Sequence, residues 1–223
     1  MMRDIKMGFQ IMKYGLSFRS MVVAGGVCLV VSIGFGLFIP VGMSALYLGL
    51  LSFLAAELIF SVSVSTMVQT SPQKKRLQTT IPTWMSGIFL FLCNTLNLIL
   101  IWIGYQRIQN NTNPFVIIMM EPGELESGIL FTSGLMVFIM LYGFFSMKYL
   151  WISTIIFIIL FYSGFFLLSK GEITYLIMPT WMAVVLSYGV IMLGCVLLYG
   201  ISCVTYKKDY SKHTFETMLK RAG

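Results

Sequence analysis

The sequence predicts an all-α integral membrane protein: a bundle of six transmembrane helices with an N-terminal amphipathic helix at the interface and both termini cytoplasmic. Composition is the first reason, because 58% of the 223 residues are hydrophobic and only 10% are charged, against about 45–50% and about 25% in soluble domains. The second is that the apolar residues fall into six long runs separated by short polar links. The third is that the basic residues crowd into alternate links. The expected organisation is an interfacial helix at 1–20, a transmembrane domain at 21–204 with a cytoplasmic loop at 69–82, and a basic tail at 205–223.

Residues 1 to 20 place Ile5, Phe9, Met12 and Leu16 at helical spacing, with Arg3, Lys6 and Lys13 elsewhere around the axis. A helix with a basic polar face and little net hydrophobicity lies in the membrane interface rather than crossing it. The first span covers about Met21 to Ile39. No A-x-A cleavage site follows it, so it reads as a span and not as a cleaved signal. Its Ser32 and Gly36 form a small-xxx-small pair of the kind that lets helices approach closely in lipid. The second span, about Val41 to Val68, follows a tight turn at Pro40. It exceeds the roughly 20 residues needed to cross, so the helix tilts or projects toward the loop.

Glu57 lies inside that second run and is the only acidic residue at membrane depth. A charge there costs about 2.5–3.5 kcal/mol on insertion scales, which makes such a residue a functional candidate; the alternative is a carboxyl protonated or paired within the bundle. The third span, about Thr83 to Gly104, carries Trp84 at its start and Trp102 and Tyr105 at its end, suited to the two interfaces. Asn94 and Asn97, three residues apart, share a helix face near mid-membrane. Two roles are open to them, interhelical hydrogen bonding and lining a polar cavity.

The segment 105–127 is the longest external link, with a short apolar run from Val116 to Met120 and three glutamates, Glu121, Glu124 and Glu126. The fourth span, about Gly128 to Phe145, and the fifth, about Tyr149 to Leu168, are separated only by Ser146, Met147 and Lys148, which forces an antiparallel pair. The fifth is apolar all round and suits lipid exposure. After the segment 169–180, stopped by Pro179, the sixth span runs from about Trp181 to Val204.

Orientation follows from charge. With six spans and both termini inside, the cytoplasmic segments hold Arg3, Lys6, Lys13 and Arg19, then Lys74, Lys75 and Arg76, then Lys148, then Lys207, Lys208, Lys212, Lys220 and Arg221, thirteen of the fifteen Lys and Arg residues. Only Arg107 and Lys170 fall outside, the bias expected of short loops beside membrane spans. The net charge of +7 is thus spread along span ends, and nucleic acid is excluded as a partner for want of a basic soluble module.

Several chemistries are absent. Cys28, Cys93, Cys195 and Cys203 have no CxxC spacing and lie within or at the ends of apolar runs, which indicates neither a disulfide framework nor a zinc site. The one histidine, His213, is in the tail, so there is no HExxH motif and no metal site is expected. There is no GxSxG elbow, no paired carboxylate, and no GxxxxGK[ST] loop to hold ATP. No catalytic residue is therefore assigned, and any energy must enter from another chain.

A basic interfacial N-terminal helix, six spans with both ends inside, and the words SPQKKRLQTTIPT at Ser71 to Thr83, where a proline, a basic cluster and a second proline precede the third span, together resemble the permease subunits of type 2 ABC exporters. The resemblance covers nearly the whole chain and rests on architecture more than on a sharp motif. It implies that residues 1–20 form a connecting helix. It implies further that Ser71, Pro72, Gln73, Lys74, Lys75, Arg76, Leu77 and Gln78 form a coupling helix docked on a separate ABC ATPase dimer. ATP and Mg would be bound by that partner, with no cofactor in this chain. A second permease copy, or a related permease, would complete a pathway in the bacterial cytoplasmic membrane for an amphipathic or hydrophobic cargo, a peptide or a drug. Glu172 to Pro179 would re-enter from outside. A cleft between two copies would give Glu57, Asn94 and Asn97 polar neighbours that one bundle lacks.

A second reading is a six-span substrate-binding subunit of a vitamin importer, a binding module that shares ATPases with other subunits. The N-terminal helix and the basic loop favour direct docking, and the first span lacks the AxxxA pattern of those subunits. A third is a lipid-active or structural membrane protein with no ATPase.

Overall fold

The computed structural model describes residues 2–13, 18–38, 43–63, 74–109, 123–169, 177–207 and 216, and among them every regular element is an α-helix. In chain order these are α1 (Met2–Lys13), α2 (Phe18–Phe38), α3 (Met43–Ser63), α4 (Lys74–Gln78), α5 (Thr80–Gln109), α6 (Glu124–Ser146), α7 (Leu150–Ser169) and α8 (Thr180–Thr205). Four stretches are long and apolar enough to cross a membrane: Phe18–Gly36, Lys74–Arg107, Glu124–Ser146 and Thr180–Thr205. At the expected second and fifth spans the described apolar stretches are shorter, Ser44–Ile59 and Leu150–Leu160. The apolar helices fit a transmembrane protein.

Side-chain pairings give the direction of each long helix. Ser32 bonds Ser44, and two turns earlier on α2 a Cβ on Gly25 would lie 3.1 Å from Leu51, further along α3, so α2 and α3 are antiparallel. Asn97 meets Thr132, and Lys148 at the far end of α6 reaches back to Gln78 before α5, so α5 and α6 are antiparallel. Phe138 and Tyr142 both meet Phe157, while Phe145 stacks on Tyr149 across the turn, so α6 and α7 form a hairpin. Asn94 meets Ser187 and Phe91 meets Tyr188, which sets α8 antiparallel to α5. The six long helices therefore alternate in direction. One end of the bundle gathers Lys75, Gln78, Lys148, Thr205 and Tyr206; it is called the basic end below.

The start of α5 departs from expectation. The sequence places the third helix after Pro82, yet α5 begins at Thr80 with Pro82 in its first turn. Proline is tolerated there because the first amides of a helix have no intrahelical acceptor. Its missing N–H leaves the Gln78 carbonyl without its usual donor, which accounts for the short break between α4 and α5. Thr79 spans the break, donating its N–H (2.9 Å) and hydroxyl (2.7 Å) to the Lys75 carbonyl, and Thr83 donates its hydroxyl to the Thr79 carbonyl at 2.8 Å. At the other end the helix runs past the expected limit, Gly104, to Gln109.

The core has three levels. At the basic end Met21, Ala55, Leu58, Ile59, Leu77, Ile81 and Met85 pack together. The middle level holds Leu48, Leu90, Met136, Met140, Ile191 and Leu198, and the far end Ile101, Leu125, Ile129 and Ala183. Backbone approaches are close where side chains are smallest. A Cβ on Gly194 would lie 2.5 Å from Val137, and one on Gly143 would enter the Phe53 ring. Before α6, Gly123 adopts φ 87°, a left-handed conformation that an L side chain resists. By contrast α7 leaves Trp151, Ile152, Ile155, Ile159 and Tyr162 exposed, as its all-round apolar sequence requires of a peripheral helix.

Candidate functional site

Two groups of polar residues stand out against this apolar frame, one at mid-bundle and one at the basic end. At mid-bundle, Asn94 and Asn97 are fully buried. The Ser44 hydroxyl donates to Asn97 Oδ1 at 3.0 Å, and Asn97 Nδ2 donates to Thr132 Oγ1 at 3.0 Å. Asn94 Nδ2 donates to Ser187 Oγ at 3.2 Å, and the single Ser133 hydroxyl proton is shared between Asn94 Oδ1 (3.1 Å) and the Ile129 carbonyl (2.8 Å). The Ser32 hydroxyl extends the array by donating to the Ser44 carbonyl at 3.1 Å. Five helices, α2, α3, α5, α6 and α8, are joined in one network.

The network contains only amides and hydroxyls, so it carries no acid–base chemistry. Its members are closed to solvent. What it does is fix the register of five helices, each interhelical bond contributing about 0.6 kcal/mol, up to about 1.7. The expectation that these asparagines need a second copy for polar neighbours is corrected here, since one bundle satisfies both. Asparagine spacing pointed to the face. It did not point to Ser44, Thr132, Ser133 or Ser187, because serine and threonine recur throughout the spans and only the fold selects the four that meet an amide. Ser32 also clarifies its pair: Gly36 lies one turn further along the same face, where a Cβ would meet Leu100 at 2.9 Å, so the small-xxx-small pattern seats α2 inside the bundle.

Glu57 does not join this group. It lies on α3 beside Leu58 and Ile59, which pack on Leu77 and Ile81 near α4. From Ser44, the α3 residue at the network, it is about 20 Å away along the helix at about 1.5 Å per residue. Its side chain is half-buried and is not without an interaction partner.

At the basic end the expected docking segment divides. Ser71, Pro72 and Gln73 lie outside the described residues, as do Glu172 to Leu176 of the expected re-entry segment Glu172 to Pro179 and most of the tail. Lys74 to Gln78 form α4. Lys75 is exposed and Lys74 and Arg76 are half-buried, whereas Leu77 and Gln78 are buried inside the chain. Leu77 belongs to the core, and Gln78 Oε1 accepts a hydrogen bond from Lys148 Nζ at 3.4 Å. Lys148 also donates to the Thr205 carbonyl at 2.7 Å, so one ammonium ties α4, the α6–α7 turn and the end of α8. Lys75 stands 5.7 Å from the Tyr206 ring centroid.

Helix α1 packs at the same end. Met7 and Ile11 join the core cluster of Ile81 and Met85, and Gly8 is buried so tightly that a Cβ would lie 2.7 Å from the Met85 thioether. The stripe packed on α5 thus runs through Met7, Gly8 and Ile11; of the expected line, Ile5 is half-buried and Phe9 exposed, while Leu16 and the Met12 side chain lie outside the described residues. Phe9 touches Phe89 at 6.5 Å but remains largely exposed. The physical reason is the glycine: it offers the flattest face to α5, and a pattern of bulky residues cannot show that.

Among the described residues no group of three or more His, Cys, Asp or Glu side chains is placed to hold a metal, and the four cysteines are unpaired thiols. Family models, curated proteins and solved structures contain no match to this chain.

Proposed function

We propose that the chain is the membrane-spanning permease subunit of an ATP-driven exporter of the ABC type. It crosses the membrane six times with both termini cytoplasmic and couples to a separate ATPase at the basic end. One observation carries the reading: the amphipathic α1, the basic α4, the α6–α7 turn and the end of α8 converge on one face. That face presents Lys6, Lys13, Lys75 and Lys207 as exposed charges, with Lys74, Arg76 and Lys148 beside them. Short basic segments beside spans are retained in the cytoplasm, where ATP is found, so the face is available to a cytosolic partner. The buried Leu77 and Gln78 would act from behind, transmitting a push on α4 into α5, and Lys74, Lys75 and Arg76 would make the contact.

The cargo reading rests on the same architecture. Because the mid-bundle polar network is closed, a pathway would lie between two copies rather than within one, along the apolar outer faces of the helices. An amphipathic or hydrophobic cargo suits such a wall.

Co-expression with an ABC ATPase taken from beside this gene in its genome tests this. The wild-type chain should purify with that ATPase in equal amounts. The combined Lys74→Glu, Lys75→Glu and Arg76→Glu variant should insert normally and lose at least about nine-tenths of the bound ATPase, as expected when attraction at a charged contact is reversed. Full complex formation by the reversed variant would remove the docking role.

A further inference from the structure

A groove of about 550 Å³ runs between α5 and α8, within the roughly 300–1,000 Å³ range of small-molecule sites. It extends from Thr80 to Phe91 on one wall and from Tyr199 back to Ile191 on the other. At about 1.5 Å per residue this is about 12–17 Å, close to half of the roughly 30 Å hydrocarbon thickness. Its length is that of one leaflet. The wall residues Phe91, Met192 and Val196 are exposed, so the groove opens sideways, toward lipid.

The two ends differ. At the Phe91 end the walls meet where Phe91 packs on Tyr188 at 4.7 Å, which closes the groove at mid-bundle. The other end holds the hydroxyls of Thr80, Thr83 and Tyr199. Beyond it, Lys75 of α4 stands 5.7 Å from the ring of Tyr206, the residue that follows α8, and Lys207 stands 6.0 Å from that ring. Both lysines are exposed. Both are charged donors, and an anion seated beside them would have two charge-assisted partners. An apolar slot one leaflet long, closed at mid-membrane and basic at the interface, has the shape and charge order of an anionic lipid.

We propose that the groove between α5 and α8 binds one acyl chain of an anionic phospholipid from the leaflet at the basic end, with the headgroup phosphate held by Lys75 and Lys207. The site needs no ATPase; it shares Lys75 with the docking face, so it is tested on the chain alone, where its failure leaves the docking reading standing. Each lysine should strengthen binding of an anionic over a zwitterionic lipid roughly fivefold, the equivalent of about 1 kcal/mol for a basic residue near an anionic surface.

Trp84 lines the groove and supplies the probe. In a protein carrying Trp102→Phe, Trp151→Phe and Trp181→Phe, the remaining Trp84 is titrated in bilayers with brominated phosphatidylglycerol or brominated phosphatidylcholine at matched mole fraction. Phosphatidylglycerol should quench at a severalfold lower mole fraction. Lys75→Gln with Lys207→Gln should erase that preference and leave quenching by phosphatidylcholine in place, and Val196→Phe, at an exposed wall position, should reduce quenching by both. Equal quenching by the two lipids in the parent overturns the proposal. So does a preference that survives the double neutralisation, or quenching indifferent to Val196→Phe. A Trp84 shielded from both lipids overturns it as well, and is the result if a second copy or a cargo molecule covers the groove.

Discussion

Asn97 is satisfied on both sides of its amide, by Ser44 and by Thr132, and so its loss strands two partners at once. Asn97→Leu should lower the free energy of unfolding in mixed micelles by about 1–3 kcal/mol, two interhelical bonds at the strength found in membrane proteins. Ser86 gives the contrast, because its buried hydroxyl has no hydrogen-bond partner among the described residues. Ser86→Ala removes an unsatisfied group and should leave stability unchanged or raise it by up to about 1 kcal/mol. Measured side by side, the pair separates the energy of a made bond from that of a polar atom merely present in the core. A loss on Ser86→Ala equal to that on Asn97→Leu would show that cavity formation dominates both.

At the scale of elements, α1 is held by a glycine. Gly8→Leu cannot be seated against Met85 and Ile81 without moving the helix, so α1 should lift from α5. Limited trypsin digestion in micelles should then cut after Lys13 at least about tenfold faster, with α2 to α8 intact. An unchanged rate would mean that Met7 and Ile11 alone retain the helix. The same helix shows what is legible in a sequence. That α1 is amphipathic follows from spacing, but which stripe faces inward depends on a close approach visible only when α5 is beside it. Likewise six long helices and their alternation follow from runs and links, and the asparagine face follows from i, i+3 geometry. The start of α5 does not, because Pro82 reads equally well as a stop before a helix or as a member of its first turn. Nor does the division of the basic segment into exposed Lys75 and buried Leu77 and Gln78. The α5–α8 groove was beyond reach for a simpler reason: its walls are 93 or more residues apart at the contacts that hold them, such as Asn94 with Ser187.

For the whole molecule, the alternating directions of six long helices put α1, α4, the α6–α7 turn and the end of α8 at one end, so a single orientation assigns the basic clusters among the described residues to one side. In intact cells carrying a cysteine-free version, a membrane-impermeant maleimide should label Arg107→Cys readily and Lys207→Cys at no more than about a tenth of that level, as the distribution of charge requires. Equal labelling, or the reverse, would overturn the orientation and with it the docking face. The buried polar network sets a further condition, one of time. Asn97 finds Ser44 in a helix already made, but its amide nitrogen awaits Thr132, and Asn94 awaits Ser187, 93 residues downstream. At about 5–20 residues per second of synthesis, the half-made bundle holds an unfinished amide for roughly 5–20 s. During that interval Asn94 holds Ser133 but lacks its α8 partner, so the last of the interhelical bonds closes only as α8 emerges.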